Sequence, residues 1–410
     1  MRTAKSICLA LLVLTGLLAG VRGENYRTDI NPALLYYQSF LLAPKGREWD
    51  EESQYLVTNN WEGQHLPEQF GLIISNFTAE LELTRQAAHQ TVPCDWGIDL
   101  SRGANTLLPQ LARAKSLVLD SEDQIIWDLQ NGNQAEARDD LLADLALGRN
   151  LSRNRTLIST LVEIAIESVV CTEIAENFNH FSPETLQQLA YGFDAAPPRG
   201  TVAECTATEK PIRDWFISQI ENIQKQYLDD NAAAMNGLHH LFYYYPADEW
   251  ERLTNGTDGT IDGLIRAIRN AEPLHAQLGA LMALPYDEYG KQLPRQESQF
   301  QQSGNPYFLH SLPAWEASRR REFAIEVGLA MVRAAIQYKL HGEAGLESVK
   351  DPCGSGPFTM KRFIFNGVNR GFELTSPFSR GKGPMSYIFV EKDGPPFYVT
   401  GNNAGQPISK

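Results

Sequence analysis

The sequence predicts a mainly α-helical protein, a multi-helix bundle or irregular α-solenoid-like array, closed at its C-terminus by a small antiparallel β-meander. Three observations predict it. Apolar residues recur at helical spacing from about residue 32 to residue 342, and several of these runs open on a capping residue followed by proline. Beyond Asp351 the pattern changes to short β-branched and aromatic runs separated by glycine and proline.

Ahead of the first helix, Arg2 and Lys5 precede an uncharged apolar run from Ile7 to Val21, and small residues follow. That is the layout of a secretory signal peptide over residues 1–23, cleaved after Gly23. The run falls short of the roughly 20 residues a membrane-spanning helix needs. Cys8 lies inside it, so no lipid-bearing cysteine stands at the junction. The expectation is export to the periplasm or the extracellular space, with no membrane span after cleavage. A helical domain over 24–350 and a β-rich segment over 351–410 then follow.

Asn31-Pro32 starts a helix with Ala33, Leu34, Tyr37 and Leu41 at helical spacing, stopped by Pro44-Lys45-Gly46. Amphipathic periodicity predicts helices over 50–60 and 67–90, and Val92 to Gly97 reads as a structural corner. Residues 106–149 read as a helical hairpin turned at Asn131-Gly132-Asn133, and this unit weakly resembles one tetratricopeptide repeat without a second copy at the required period. The segment 156–181 is apolar on more than one face and reads as a central, surrounded helix, while Glu163 and Glu167 keep it out of a bilayer. Ser182-Pro183 starts a short helix ended by the linker Pro197-Pro198-Arg199-Gly200. One long helix, entered before Pro211 or broken by it, is expected over 201–227, and two short ones over 258–270 and 273–283. The polar, proline-broken stretch 292–313 reads as a surface loop, and 313–342 as the last long helix. Strands are expected over 358–365, 371–376, 387–391 and 397–400, with Asn366-Gly367 and Asp393-Gly394 as turns.

Charge excludes some partners. The chain carries 36 basic and 50 acidic residues, a formal charge of −14. Loss of Arg2, Lys5 and Arg22 with the leader lowers the basic count to 33 and the charge to −17. Such a charge opposes nucleic acid and anionic lipid. The one dense basic cluster, Arg319-Arg320-Arg321, is followed by Glu322 and Glu326 and reads as a solvated helix start.

Cleavage also removes Cys8 and leaves Cys94, Cys171, Cys205 and Cys353, an even count that allows two disulfides in an oxidising compartment. Of the three connectivities, one joining Cys171 to Cys205 is preferred, because the two sit on consecutive helical segments; buried free thiols are the alternative. No Cys-x-x-Cys is present.

Local catalytic signatures are absent: no Gly-x-Ser-x-Gly, phosphate loop, Gly-x-Gly-x-x-Gly or His-Glu-x-x-His occurs. Two Glu-x-x-His pairs, Glu62/His65 and Glu272/His275, have the spacing of a di-iron bundle, with Glu163 and Glu326 as nominal further ligands. Neighbouring prolines, Pro67 and Pro273, argue against both, so no metal and no cofactor is expected. His239 and His240, beside Asp248, Glu249 and Trp250, form the one cluster with acid–base potential. Sequons stand at Asn76, Asn150, Asn154 and Asn255.

The leader, Asn31 to Tyr37, Pro93-Cys94-Asp95-Trp96-Gly97, the hairpin and Leu157 to Val162, taken in this order, resemble exported, all-helical bacterial proteins without an assigned reaction. The likeness spans about residues 25–180, and Asp351-Pro352 is similar to the start of their β-rich tails. The resemblance implies the fold and the compartment, and no catalytic residue. The functional expectation is a non-catalytic protein that binds a protein or peptide partner in the cell envelope. The alternative is an envelope hydrolase acting near His239, His240, Asp248 and Glu249.

Overall fold

A computed structural model describes residues 27–45, 51–52, 54–56, 65–227, 230–241, 246–379, 381 and 383–408. The leader expected at 1–23 lies outside the described residues, as do Glu62 and the side chain of His240. The protein is mainly α-helical with a three-stranded antiparallel sheet near its C-terminus, as the sequence predicts.

The helices start where capping chemistry allows. In α1 (Pro32–Leu42) the Asn31 side chain accepts from the Ala33 N–H, and proline occupies the first turn, where no donor is needed. Helices α2 (Glu68–Ile74) and α3 (Thr78–Ala88) follow. The hairpin is α4 (Pro109–Gln130) and α5 (Gln134–Leu151), turned at Gly132 with φ +81°. Thr156 caps α6 (Leu157–Glu176), and Ser182 caps α7 (Pro183–Ala195).

Two apolar clusters form. One gathers α1 to α3 against the hairpin, with Tyr36, Phe70, Ile74, Phe77 and Trp96 at its centre. The larger cluster takes the rest of the chain. Helix α6 serves both, presenting Ile166 to the first and Ile164, Val170, Cys171 and Ile174 to the second. That position explains an apolar pattern that covers more than one face.

Over 201–227 the helix is broken, ahead of Pro211 rather than at it. Thr201 and Glu204 form a capping box on a one-turn helix, α8 (Val202–Cys205), and a 3-10 turn leads to α9 (Glu209–Tyr227). Pro211 falls in the first turn of α9, where a missing N–H costs nothing. Helices α10 (Asn231–Leu241), α11 (Ala247–Asn255), α12 (Ile261–Asn270) and α13 (Glu272–Met282) complete this region.

The loop expected over 292–313 is helical instead: α14 (Tyr286–Ser303) runs through Pro294, and α15 (Pro306–His341) runs through Pro313. An interior proline costs about 3 kcal/mol. Burial of Tyr289 and Phe300 on α14, and of Tyr307, Phe308, Leu312 and Trp315 on α15, outweighs it. Arg319 is likewise not a solvated helix start. It lies mid-way along α15, buried, and pairs with Glu322 and Glu326.

After α16 (Glu343–Ser348), β1 (Thr359–Phe365), β2 (Val368–Ser379) and β3 (Pro384–Val390) form the sheet in the order β1-β2-β3. Asn366 and Gly367, both at positive φ, make the two-residue turn between β1 and β2. The expected fourth strand at 397–400 is reduced to the isolated bridges Tyr387↔Thr400 and Phe397↔Pro407. Aromatic rings attach the sheet to the helices: Phe178 meets Phe372 and Phe389 edge-on, and Tyr338 meets Phe372.

The disulfide expectation fails. Cys94, Cys171, Cys205 and Cys353 are all free and buried. Cys94 belongs to the first apolar cluster and the other three to the second. The Cys205 thiol, which the sequence reading paired with Cys171, lies 3.2 Å from the Thr160 hydroxyl and donates to the Thr201 carbonyl. No described helix is long and apolar enough to cross a membrane.

Candidate functional site

The C-terminal ends of α4 and α6 and the chain leaving β3 enclose a cleft of about 320 Å³. Its apolar wall is Ile126, Val390, Phe397 and Val399, and its polar wall includes His65, Gln130, Glu176, His180, Arg370 and Asp393. It lies where the sheet docks on the helical body, and junctions of this kind commonly hold ligands.

Arg370, on β2, is the fixed point of the cleft. Its side chain is buried; Nε donates to the Lys392 carbonyl at 2.7 Å and Nη1 to the Pro395 carbonyl at 3.0 Å. The guanidinium carbon stands 5.2 Å from the Phe397 ring centroid, within cation–π range. Burial pulls its pKa below the usual arginine value, yet a guanidinium remains charged at physiological pH. Gly394 makes this approach possible. It adopts φ +154°, and a Cβ there would lie 2.6 Å from Arg370 Nη1.

Opposite charges share the same wall. The Asp393 Oδ1 lies 3.1 Å from His180 Nε2 and accepts from Asn179 Nδ2 at 2.7 Å. Glu176 adds a second carboxylate at the last residue of α6. Gln130 is held by the Leu66 N–H at 3.0 Å, and His65 Nδ1 lies 2.9 Å from the Leu66 carbonyl. The cleft thus offers a fixed cation, two carboxylates and two imidazoles around an apolar wall. No serine, threonine or cysteine lines it.

The chain matches no known protein family, and no curated protein and no solved structure matches it.

The residues singled out from the sequence sit elsewhere. His239 is exposed on α10 with its ring 5.4 Å from that of Trp250. Asp248 pairs with Arg252 at 2.8 Å, and Glu249 pairs with His310 at 2.9 Å. Among the described residues, neither carboxylate hydrogen-bonds to His239. His275 is buried beside Arg213, and burial followed by that positive charge lowers its pKa to about 4. Glu272, its i−3 neighbour, is largely exposed and lies 3.9 Å from Arg213. Among the described residues, no group of three or more candidate ligands is arranged to hold a metal ion.

Glu163 and Glu326 do converge, but with arginines. Glu163 and Glu167 on α6 and Glu322 and Glu326 on α15 face Arg149, Arg199 and Arg319. Together they clamp the linker between α7 and α8. Arg149 donates to the Pro197 carbonyl at 3.1 Å, Glu163 accepts the Gly200 N–H at 3.1 Å, and Glu322 accepts the Val202 N–H at 3.0 Å. Burial, then the nearby Glu167, holds Glu163 well above the usual carboxylate range. A neutral Glu163 leaves three carboxylates against three guanidiniums. Sequence reasoning missed both this network and the cleft. The available signal was the pair of Glu-x-x-x-Glu spacings, Glu163/Glu167 and Glu322/Glu326, which place each pair on one helix face.

Proposed function

We propose that this chain is an exported, non-catalytic binding protein that takes a short peptide segment into the cleft between the helices and the sheet. The observation that carries the reading is the wall itself. A rigid guanidinium at Arg370 suits a carboxylate or a backbone carbonyl, and Glu176 and Asp393 suit an amine or a basic side chain. The apolar strip of Ile126, Val390, Phe397 and Val399 suits a side chain between these poles. A volume of about 320 Å³ takes two or three residues. Export rests on the leader pattern of residues 1–23.

Hydrolysis is the second reading, favoured by His180 Nε2 at 3.1 Å from Asp393 Oδ1, a pairing that can orient an imidazole as a base. It would use water directly, since the cleft wall offers no hydroxyl or thiol nucleophile.

Titration calorimetry with a panel of two- to four-residue peptides, carrying basic, acidic or apolar termini, tests the proposal. Saturable binding that weakens at least tenfold in both His180→Ala and Asp393→Asn supports it. Absence of binding across the panel, or binding that neither substitution changes, overturns it. Cleavage of bound peptide would favour the hydrolytic reading.

A further inference from the structure

A second cavity, sharing no lining residue with the cleft, opens where α5, α7 and α15 meet the chain that leads into the sheet. It measures about 300 Å³ and is lined by Arg149, Phe193, Arg199, Glu326, Leu329, Ala330, Arg333, Lys350 and Pro352. Arg149 and Arg199 are already paired with Glu167, and Arg333 with the exposed Asp194, while Lys350 enters no ion pair among the described residues. We propose that this cavity binds a small dianionic ester, a phosphate monoester whose apolar part lies against Phe193, Leu329, Ala330 and Pro352.

Each cation is placed for such a ligand. Arg149 and Arg199 are held by Glu167 at 3.0 and 2.8 Å, which fixes their guanidiniums without occupying every donor. Arg199 Nη2 is buried and has no hydrogen-bond partner among the described residues. Arg333 stands over the Phe193 ring and pairs with Asp194, whose side chain is 65% exposed. A pair so exposed contributes little, so a dianion can displace it. Lys350 is exposed and enters no ion pair among the described residues, while its backbone is fixed by the bridge to Pro357. Glu326 is the carboxylate among the lining residues. Burial raises its pKa, and its nearest cations, Arg319 and Arg199, offset its charge.

Lys350 and Arg333 can face the charge of the ester, and the apolar wall distinguishes an ester from the free ion. Guanidiniums bind tetrahedral oxyanions through paired donors. The test uses the full chain with phenyl phosphate, phenyl sulfate, inorganic phosphate and phenol, each at ionic strength held constant with potassium chloride. Calorimetry is expected to show saturable binding of phenyl phosphate, at least tenfold tighter than that of inorganic phosphate or of the monoanion phenyl sulfate, and none for phenol. Lys350→Glu and Arg333→Glu, both at positions where substitution spares the core, are each expected to weaken the ester at least tenfold while leaving thermal unfolding within a few degrees. Ester binding no tighter than that of inorganic phosphate, heats reproduced by potassium chloride alone, or affinity unchanged in both variants would overturn the assignment.

Discussion

Arg199 Nε lies 2.8 Å from Glu167 Oε2, and this one contact ties the linker between α7 and α8 to the middle of α6. Glu167 is fully buried and also receives Arg149. Removing one partner of such a pair leaves an uncompensated buried charge, which costs about 3–5 kcal/mol. Arg199→Ala should therefore lower the unfolding free energy by that amount in urea titration, and Arg199→Ala with Glu167→Gln should lower it by less than the sum of the two single changes. A loss under about 1 kcal/mol for Arg199→Ala would mean that the linker is not held this way.

Stability should fall as pH rises from about 4 to about 7. Burial, with Glu80 nearby, raises Asp120 to about 7; burial, with Glu122 and Asp120 nearby, raises Asp123 to about 7. A carboxyl whose folded pKa exceeds its unfolded value contributes stability that is complete below the unfolded pKa and is lost as pH passes the folded one. His275 acts in the opposite sense, since its pKa falls to about 4, and its contribution is lost on acidification below about 6.5. Melting temperatures of the wild type and of Asp120→Asn with Asp123→Asn, taken across this window, should converge at low pH and separate towards pH 8, with the variant higher. Parallel curves would show that these carboxyls titrate normally.

Gly394→Ala should damage the cleft more than the fold. The added methyl meets the Arg370 guanidinium, and the backbone at φ +154° resists a side chain. The expected result is at least a tenfold loss of peptide affinity with a stability loss of about 1–3 kcal/mol. Retention of full affinity would remove Arg370 from the binding site.

The thiols offer a chemical check on both core and leader. Burial pushes the Cys94, Cys171, Cys205 and Cys353 thiols well up, so none should react with a thiol reagent in the native protein. In denaturant, four should titrate from a chain that has lost its leader and five from one that retains Cys8. Rapid reaction before denaturation would contradict the burial of all four.

Much of the fold was legible because its signals are local. Asn31-Pro32, Ser182-Pro183 and Asn366-Gly367 each satisfy or pre-set backbone within a few residues, and each marks a boundary in the structure. Helix α14 was hidden for the converse reason. Its sequence is polar with an interior proline, and it is helical because Tyr289 and Phe300 pack against residues far along the chain. The cleft was illegible because its parts are distant: His180 and Asp393 meet only when the sheet docks through Phe178, Phe372 and Phe389. Arg319 was misread because its charge suggested solvent, although Glu322 and Glu326 three and seven residues ahead were the partners that allow it to be buried.

The Asn150 side chain donates to the Tyr36 hydroxyl inside the first apolar cluster, while the Asn150 backbone carbonyl accepts the Trp96 indole N–H. A sugar attached to that amide nitrogen would have to occupy space already filled by α1. Oligosaccharide transfer in the endoplasmic reticulum precedes compaction of the chain, so a eukaryotic secretion host would mark Asn150 before the ring of Tyr36 could cover it. Recombinant material for crystals or binding work is therefore best made in a host lacking that transferase, or from an Asn150-sparing variant such as Ser152→Ala, whose hydroxyl otherwise donates to the Arg149 carbonyl at 2.9 Å.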